Sequence, residues 1–231
     1  MRNELLLLLT VLLFYGGVLF FYRLLGTTGL YCWTVLATIA ANIEVMLLVE
    51  AFGLEQTLGN VLFASTFLVT DILSENEGEE AANRAVLTGI LTSVCFIVIS
   101  QIWLLYTPAA SDWAMPAIRE IFTNTPRLMA ASLIVYAICQ RFDVWAYHAW
   151  WHFTEARFGN RRRFLWLRNN GSTLISQLLN TVLYTLGAFL GVYSVGTLIS
   201  VMVSSYAIFL FTSLLDTPAV YLARRMGGGG E

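Results

Sequence analysis

Long apolar runs separated by short polar breaks organise the whole chain, at about 4–23, 29–52, 58–75, 82–106, 126–152, 170–194 and 196–223. A bilayer hydrocarbon core about 30 Å thick takes roughly 20 apolar residues of helix, so the pattern predicts seven membrane-crossing helices. The runs lack the period-2 alternation of barrel strands. An open sheet edge in lipid would leave backbone N–H and C=O groups unpaired, so strands are not expected. Residues 107–125 break the pattern with Pro108, Asp112, Trp113 and Pro116, followed by Ile118, Ile121 and Phe122 at helical spacing. They predict a loop with a short surface helix. The first run, Leu5 to Tyr22, has no small-x-small cleavage site and ends at Arg23, which makes it a retained helix rather than a signal peptide.

Composition narrows the class further. Of 231 residues 58% are apolar and 12% charged, with a mean hydropathy of +0.69, which a soluble domain of this size has no interior to hide. The net charge of −2 says little, but all 13 basic residues are Arg and they gather between the runs. That distribution is topological and points to no nucleic-acid partner. Arg157, Arg161, Arg162, Arg163 and Arg168 mark a cytoplasmic linker, because short Arg-rich loops stay inside. Alternation then puts nine Arg inside (positions 23, 84, 157, 161, 162, 163, 168, 224 and 225) and Arg2, Arg119 and Arg127 outside. The N-terminus is expected outside and the C-terminus in the cytoplasm of a multi-pass protein in the cytoplasmic (inner) membrane. Glu75, Glu77, Glu79 and Glu80 make 74–84 acidic, but acidic residues count for little in this rule. Cys32, Cys95 and Cys139 lie in apolar runs without a CxxC pair, so no disulfide is expected. The tail from Gly227 to Glu231 reads as a flexible terminus.

Ionisable groups in a lipid-spanning helix cost about 2.5–3.5 kcal/mol each on insertion scales and ask for a function. Glu44, Glu50, Asp71, Asp143 and Asp216 fall in the runs against the single Arg141. An interior with excess carboxylate suits a cation, a proton or a ligand with several N–H donors. Two helices carry polar residues in one rhythm: Tyr136, Gln140, Asp143 and Tyr147, and Thr173, Gln177, Asn180 and Tyr184, both spaced 4, 3, 4. At about 100° per residue each set forms one stripe. Arg141 falls outside its stripe, and Asn42 sits at similar depth in the second run. The amides admit a second reading as helix–helix glue, at about 0.6 kcal/mol per bond; Asp143 fits that reading less well, since glue needs no charge. Asp71 and Glu75, at i, i+4 near the inner surface, read equally as a gate or as a solvated helix end.

An enzyme reading has one foothold. His148 and His152 at i, i+4, with Glu155 beyond, have metal-ligand spacing. They are the only histidines and stand among Trp145, Tyr147, Trp150, Trp151 and Phe153, so an interfacial aromatic belt explains them better. No enzyme, metal or cofactor is expected.

Particular strings add a resemblance. Ala41-Asn42-Ile43, then Thr70-Asp71-Ile72-Leu73-Ser74-Glu75 with Gly78, then Ala131-Ser132 and Tyr136 with Gln140-Arg141-Phe142-Asp143, then Trp166-Leu167-Arg168-Asn169-Asn170-Gly171-Ser172-Thr173 with Ser176-Gln177 resemble the queuosine-precursor transporter family, also called vitamin uptake transporters. The match runs in order from about 30 to 223. It implies an all-α fold: a polytopic transmembrane helical bundle with a six-helix transporter core over 29–223, one extra N-terminal helix and linker over 1–28, and a tail over 224–231. It implies uptake of 7-deazaguanines, namely queuine or its cyano or aminomethyl precursors, across the cytoplasmic membrane. The bilayer and a small nucleobase are then the partners, with a homodimer or an energising subunit left open. The stripes and the strings together give the expected substrate-binding set: Asn42, Asp71, Glu75, Tyr136, Gln140, Asp143, Arg168, Asn170, Thr173, Gln177 and Asn180. The family pattern has Asp where this chain has Asn180 and Lys where it has Phe209, two positions expected to face each other. The alternative is a substrate-binding membrane subunit of an ATP-driven uptake complex. The chain has no Gly-rich phosphate loop, and its small face at Ala37, Ala40 and Ala41 serves packing equally well.

Overall fold

The computed structural model describes residues 2–123, 126–159, 165–191 and 193–227; of residues 48, 54, 55, 126 and 127 it describes the backbone alone. Arg161, Arg162 and Arg163 of the expected linker, and the tail from 228 to 231, lie outside the described residues. The chain folds as α1 (Arg2–Leu25), α2 (Thr27–Glu44), β1 (Leu48–Ala51), β2 (Leu54–Thr57), α3 (Gly59–Asn76), α4 (Glu79–Trp103), α5 (Met115–Thr123), α6 (Pro126–Phe158), α7 (Leu165–Phe189) and α8 (Val195–Gly227). Four of these helices, α1, α4, α6 and α8, are long and apolar enough to cross a membrane. The molecule is a helical membrane protein, and the outward faces of α1, α4 and α8 carry exposed Leu, Ile and Val along their lengths.

One expectation fails at the second run. α2 stops at Glu44, and residues 48–57 form an antiparallel hairpin pairing Leu48 with Thr57 and Ala51 with Leu54. The turn residues Phe52 and Gly53 both have positive φ, 55° and 72°, the backbone of a two-residue I′ turn that matches strand twist. Only glycine accepts that conformation freely, so Gly53 is the residue that sets the turn. Strands therefore occur after all, at the end of the bundle. Glu50, counted among the intramembrane acids, is exposed on β1. The short surface helix appears as expected, with the carboxylate of Asp112 accepting from the backbone N–H of Ala114 and Met115 at 2.9 and 2.7 Å, an N-terminal cap.

α3 is the hub. Every residue from Val61 to Ser74 except Phe63 is buried, as befits a helix surrounded on all sides, and it touches α1, α2, α4, α6 and α8. α1 belongs to the same core: Leu7, Val11, Tyr15, Val18 and Tyr22 join the buried cluster formed with α2, α3, α4 and α8. At one end Asn3 donates to the carbonyl of Glu50 at 2.8 Å. At the other Asn76 donates to the Tyr22 hydroxyl at 2.9 Å and to the carbonyl of Ala223 at 3.2 Å. The N-terminus and the hairpin thus share one end, and the C-terminal ends of α1, α3 and α8 the other.

Gly89 of α4 lets α6 approach, since a Cβ there would meet the Tyr136 phenol. Gly89→Ala should cost about 1–3 kcal/mol through overpacking. Its melting temperature in detergent should fall below that of the wild type, and Tyr136→Leu in the same chain should restore part of the loss.

Candidate functional site

Along α3, Asn60, Phe63, Phe67, Thr70, Asp71, Ser74 and Glu75 recur at i, i+3, i+7, i+10, i+11, i+14 and i+15 and fall on one stripe. From Phe63 to Glu75 the stripe descends about 18 Å at 1.5 Å per residue. It passes three levels of different chemistry.

The lowest level is an ion cluster. Arg168 of α7 donates to both carboxylate oxygens of Glu75, Nη2 to Oε1 at 2.8 Å and to Oε2 at 2.6 Å, with Nε to Oε2 at 3.1 Å. The two side chains are 0% and 3% exposed. Tyr147 of α6 donates to Glu75 Oε2 at 2.8 Å, and Arg224 of α8 lies 3.3 Å from Oε1. The Arg168 guanidinium also stands 4.3 Å from the Trp151 ring centre, a cation–π contact. Four helices meet on one carboxylate.

The middle level is a buried polar layer. Gln140 bridges to α3, donating to the Thr66 hydroxyl at 2.6 Å and accepting from Thr70 at 3.2 Å. Thr173 donates to Asp71 at 3.1 Å and Ser176 to Asp143 at 2.7 Å. Several buried atoms here have no partner: Asp71 Oδ1, Asp143 Oδ2, Asp216 Oδ1, Gln177 Oε1 and both amide atoms of Asn169. Buried polar groups are normally hydrogen-bonded, so each such atom invites an explanation.

Above the layer lie rings. Phe63 stands 5.8 Å from Tyr136, 5.3 Å from Phe67 and 6.4 Å from Phe209 between ring centres. Beyond them, at the hairpin end, opens a chamber of about 690 Å³, counting the open solvent at its mouth, whose walls include Gln56, Asn60, Asn180, Tyr184 and Phe209. A smaller and more open hollow, of about 380 Å³ with the solvent at its mouth, adjoins it and shares Asn60, Asn180, Tyr184 and Phe209. Gln56 Oε1, Asn60 Nδ2 and the Tyr184 hydroxyl are buried there without partners. Concave walls, mostly aromatic and apolar with a few free polar groups, are the general form of a small-molecule site.

The expected residues therefore divide. Only Asn180 lines the chamber; Phe209, expected to face it, lines the same walls. Asp71, Gln140, Asp143, Thr173 and Gln177 form the buried layer, and Glu75 and Arg168 the ion cluster, so Asp71 and Glu75 are no solvated helix end. Tyr136 joins the rings. Asn42 is tied to Thr38 and to Ser93 of α4 at 2.8 and 3.3 Å, and Asn170 to Thr217 and Ser213 of α8 at 2.6 and 3.3 Å. Arg141 is exposed outside its stripe. His148 stacks on Trp151 at 5.9 Å between ring centres, and among the described residues no three His, Cys, Asp or Glu gather as a metal site.

Three residues were missed. Gln56 and Asn60 flank the junction of hairpin and α3, which a continuous helix through 52 conceals; the Phe52-Gly53 turn was the available signal. Asn169 stands in the family string beside Asn170 but outside the expected set, and it lies within α7, which runs Leu165–Phe189.

A helical membrane bundle with a chamber at one end, a polar interior and an ion-paired closure at the other has the build of a small-molecule transporter. The chain belongs to the vitamin uptake transporter family: the profile described as "Putative vitamin uptake transporter" matches residues 57–223. It is 39% identical over 209 residues to a Bacillus subtilis (strain 168) protein named "Probable queuosine precursor transporter", covering 90% of this chain and 89% of that one. No solved structure matches.

Removing one side of the buried pair leaves the other charge in a low-dielectric interior, which costs about 3–5 kcal/mol. Glu75→Gln should therefore lower the melting temperature in detergent far more than Glu80→Gln, whose pair with Arg84 is exposed and contributes about 1 kcal/mol or less. Equal shifts would show that the cluster holds nothing together.

Proposed function

We propose that this chain imports a 7-deazaguanine precursor of queuosine across the cytoplasmic membrane, acting without an ATP-driven partner. The observation that carries the reading is the chamber, with three unpartnered polar atoms between aromatic walls. A deazaguanine offers an N–H and amino donor edge, an O6 acceptor and flat faces. Gln56 Oε1 suits the donor edge, Asn60 Nδ2 suits O6, and Tyr184 and Phe209 suit the faces. The name of the Bacillus subtilis relative supports the same substrate class.

Seven crossings accommodate the helices, with α1 beside a core of α2, α3, α4, α6, α7 and α8. The Arg distribution supports an N-terminus outside and a C-terminus inside, so the chamber faces outward and the Glu75–Arg168 cluster closes the cytoplasmic end. Substrate enters the chamber, the rings of Phe63, Tyr136 and Phe209 part, and the polar layer of Gln140 and Gln177 lines the passage. Release follows when the inner cluster opens. Because chamber, passage and closure all lie in one chain, a solo transporter is favoured over a capture subunit.

Base–aromatic stacking contributes about 1–3 kcal/mol and a neutral hydrogen bond about 0.5–1.5 kcal/mol. Tyr184→Ala should thus weaken queuine binding by about ten-fold or more and Asn60→Ala by less. Thermal stabilisation of the solubilised protein against queuine, its cyano and aminomethyl precursors, purines and vitamins reads this directly. Stabilisation by a vitamin and by no deazaguanine, or variants that bind as well as the wild type, would refute the assignment.

A further inference from the structure

Asp71 of α3, Asp143 of α6 and Asp216 of α8 are each 1% exposed or less, and they stand within electrostatic reach of one another. Each keeps one carboxylate oxygen without a partner. Their hydrogen-bond partners are neutral donors, Thr173 at Asp71 and Ser176 at Asp143, and the Tyr15 hydroxyl of α1, which donates to the Thr212 carbonyl at 3.4 Å, lies near Asp216. The cations of this region, Arg168 and Arg224, sit on Glu75 below. Four acids thus meet two guanidinium groups. Among the described residues, Tyr15, Cys139 and Tyr147 are the other titratable neighbours. Unbalanced charge inside a membrane seeks a partner, and among the described residues these four acids outnumber the guanidinium groups beside them by two.

Asn169 points independently to a ligand. It is 0% exposed, and neither its amide oxygen nor its nitrogen has a partner. At about 100° per residue it falls on α7 between Ser176, which bonds Asp143, and Thr173, which bonds Asp71. It therefore shares the α7 face of Thr173 and Ser176, about 6 Å nearer the inner end than Thr173 at 1.5 Å per residue, between the carboxylate layer and the Glu75–Arg168 cluster.

We propose that Asp71 and Asp143, with Asp216 beside them and the free amide of Asn169 one turn further in, bind the proton whose inward movement drives uptake. The proposal rests on the transport reading above. Like-charged carboxylates in one buried site readily share a proton. A proton needs a single lone pair, which suits acids held on separate helices, whereas a metal cation needs several oxygens converging at once. The step balances simply. A proton from the outer solution forms an O–H bond with a free carboxylate oxygen, and that bond breaks to cytoplasmic water once the layer opens inward.

Two measurements on the full chain test this. The first needs no substrate: infrared difference titration should show a protonated-carboxyl C=O band that titrates, is lost in Asp143→Asn and has its midpoint displaced in Ser176→Ala, the second variant serving should the first not fold. A layer with no titrating carboxyl band overturns the proposal whatever the substrate is. The second uses proteoliposomes with equal sodium on both sides and labelled queuine outside. An inside-alkaline gradient of one pH unit should accumulate queuine about ten-fold per proton carried, and Asp71→Asn or Asp143→Asn should remove that dependence on the gradient. Accumulation driven by a sodium gradient instead, or gradient-driven uptake undiminished in both variants, overturns it. A titrating band with no queuine movement at all would count against the substrate and leave the proton site standing.

Discussion

A carboxylate and a guanidinium buried where water does not reach impose a strict condition on everything around them. Desolvating two ions costs several kcal/mol each, and their attraction offsets this only when geometry is good and the remaining donors and acceptors are satisfied. Glu75 and Arg168 meet that condition through a two-pronged contact, the Tyr147 hydroxyl, Arg224 and the face of Trp151. Satisfying the pair draws α3, α6, α7 and α8 together at one end. The same helices are free to diverge at the other, and the hairpin and the chamber occupy the space so left. Apolar residues would stabilise that junction as well or better, so an ion pair there is more useful as a contact with two states, made and broken, than as reinforcement.

Above the pair, charge and shape recognition are kept apart. The chamber walls carry amides, a phenol and rings, while the acids lie deeper, beyond Phe63 and Tyr136. Asn180 and Phe209 matter for this separation. An Asp and a Lys at these positions would bring an ion pair into the chamber, and a neutral amide and a ring leave it uncharged. On the proposed mechanism, specificity in the chamber rests on hydrogen-bond pattern and stacking, and coupling on the acids below.

Much of this architecture is readable in the residues because lipid permits so few backbone solutions. Apolar run length fixes where helices are, and polar stripes at 4, 3, 4 spacing fix which faces of α6 and α7 turn inward; Gln140, Asp143, Thr173 and Gln177 are all buried as those stripes require. The hairpin escaped because Leu47, Leu48 and Val49 continue the apolar run of α2, and hydropathy does not distinguish a strand from a helix over four residues. Arg168 reads both as a linker charge and, through the family strings, as a site residue, because Arg-rich loops and helix starts look alike in composition; it lies in α7. Which amide faces its own helix neighbour and which faces an unfilled space depends on helix start and rotation to within a residue, the quantity that pattern reading fixes least well. Asn169 and Asn170 differ by that one step.

The central claim is that Glu75 and Arg168 hold the inner end closed while the chamber stands open to the outside. It is tested most directly by thiol accessibility in cells, after replacing Cys32, Cys95 and Cys139 and placing a single cysteine at Ser205 on the chamber wall. Ser205→Cys should be labelled rapidly by a membrane-impermeant maleimide added outside, and labelling should be slowed by queuine and by Arg168→Ala, which frees the inner end and lets the chamber close. A cysteine at this position that reacts only from the cytoplasmic side, or whose labelling is indifferent to Arg168→Ala, would contradict it.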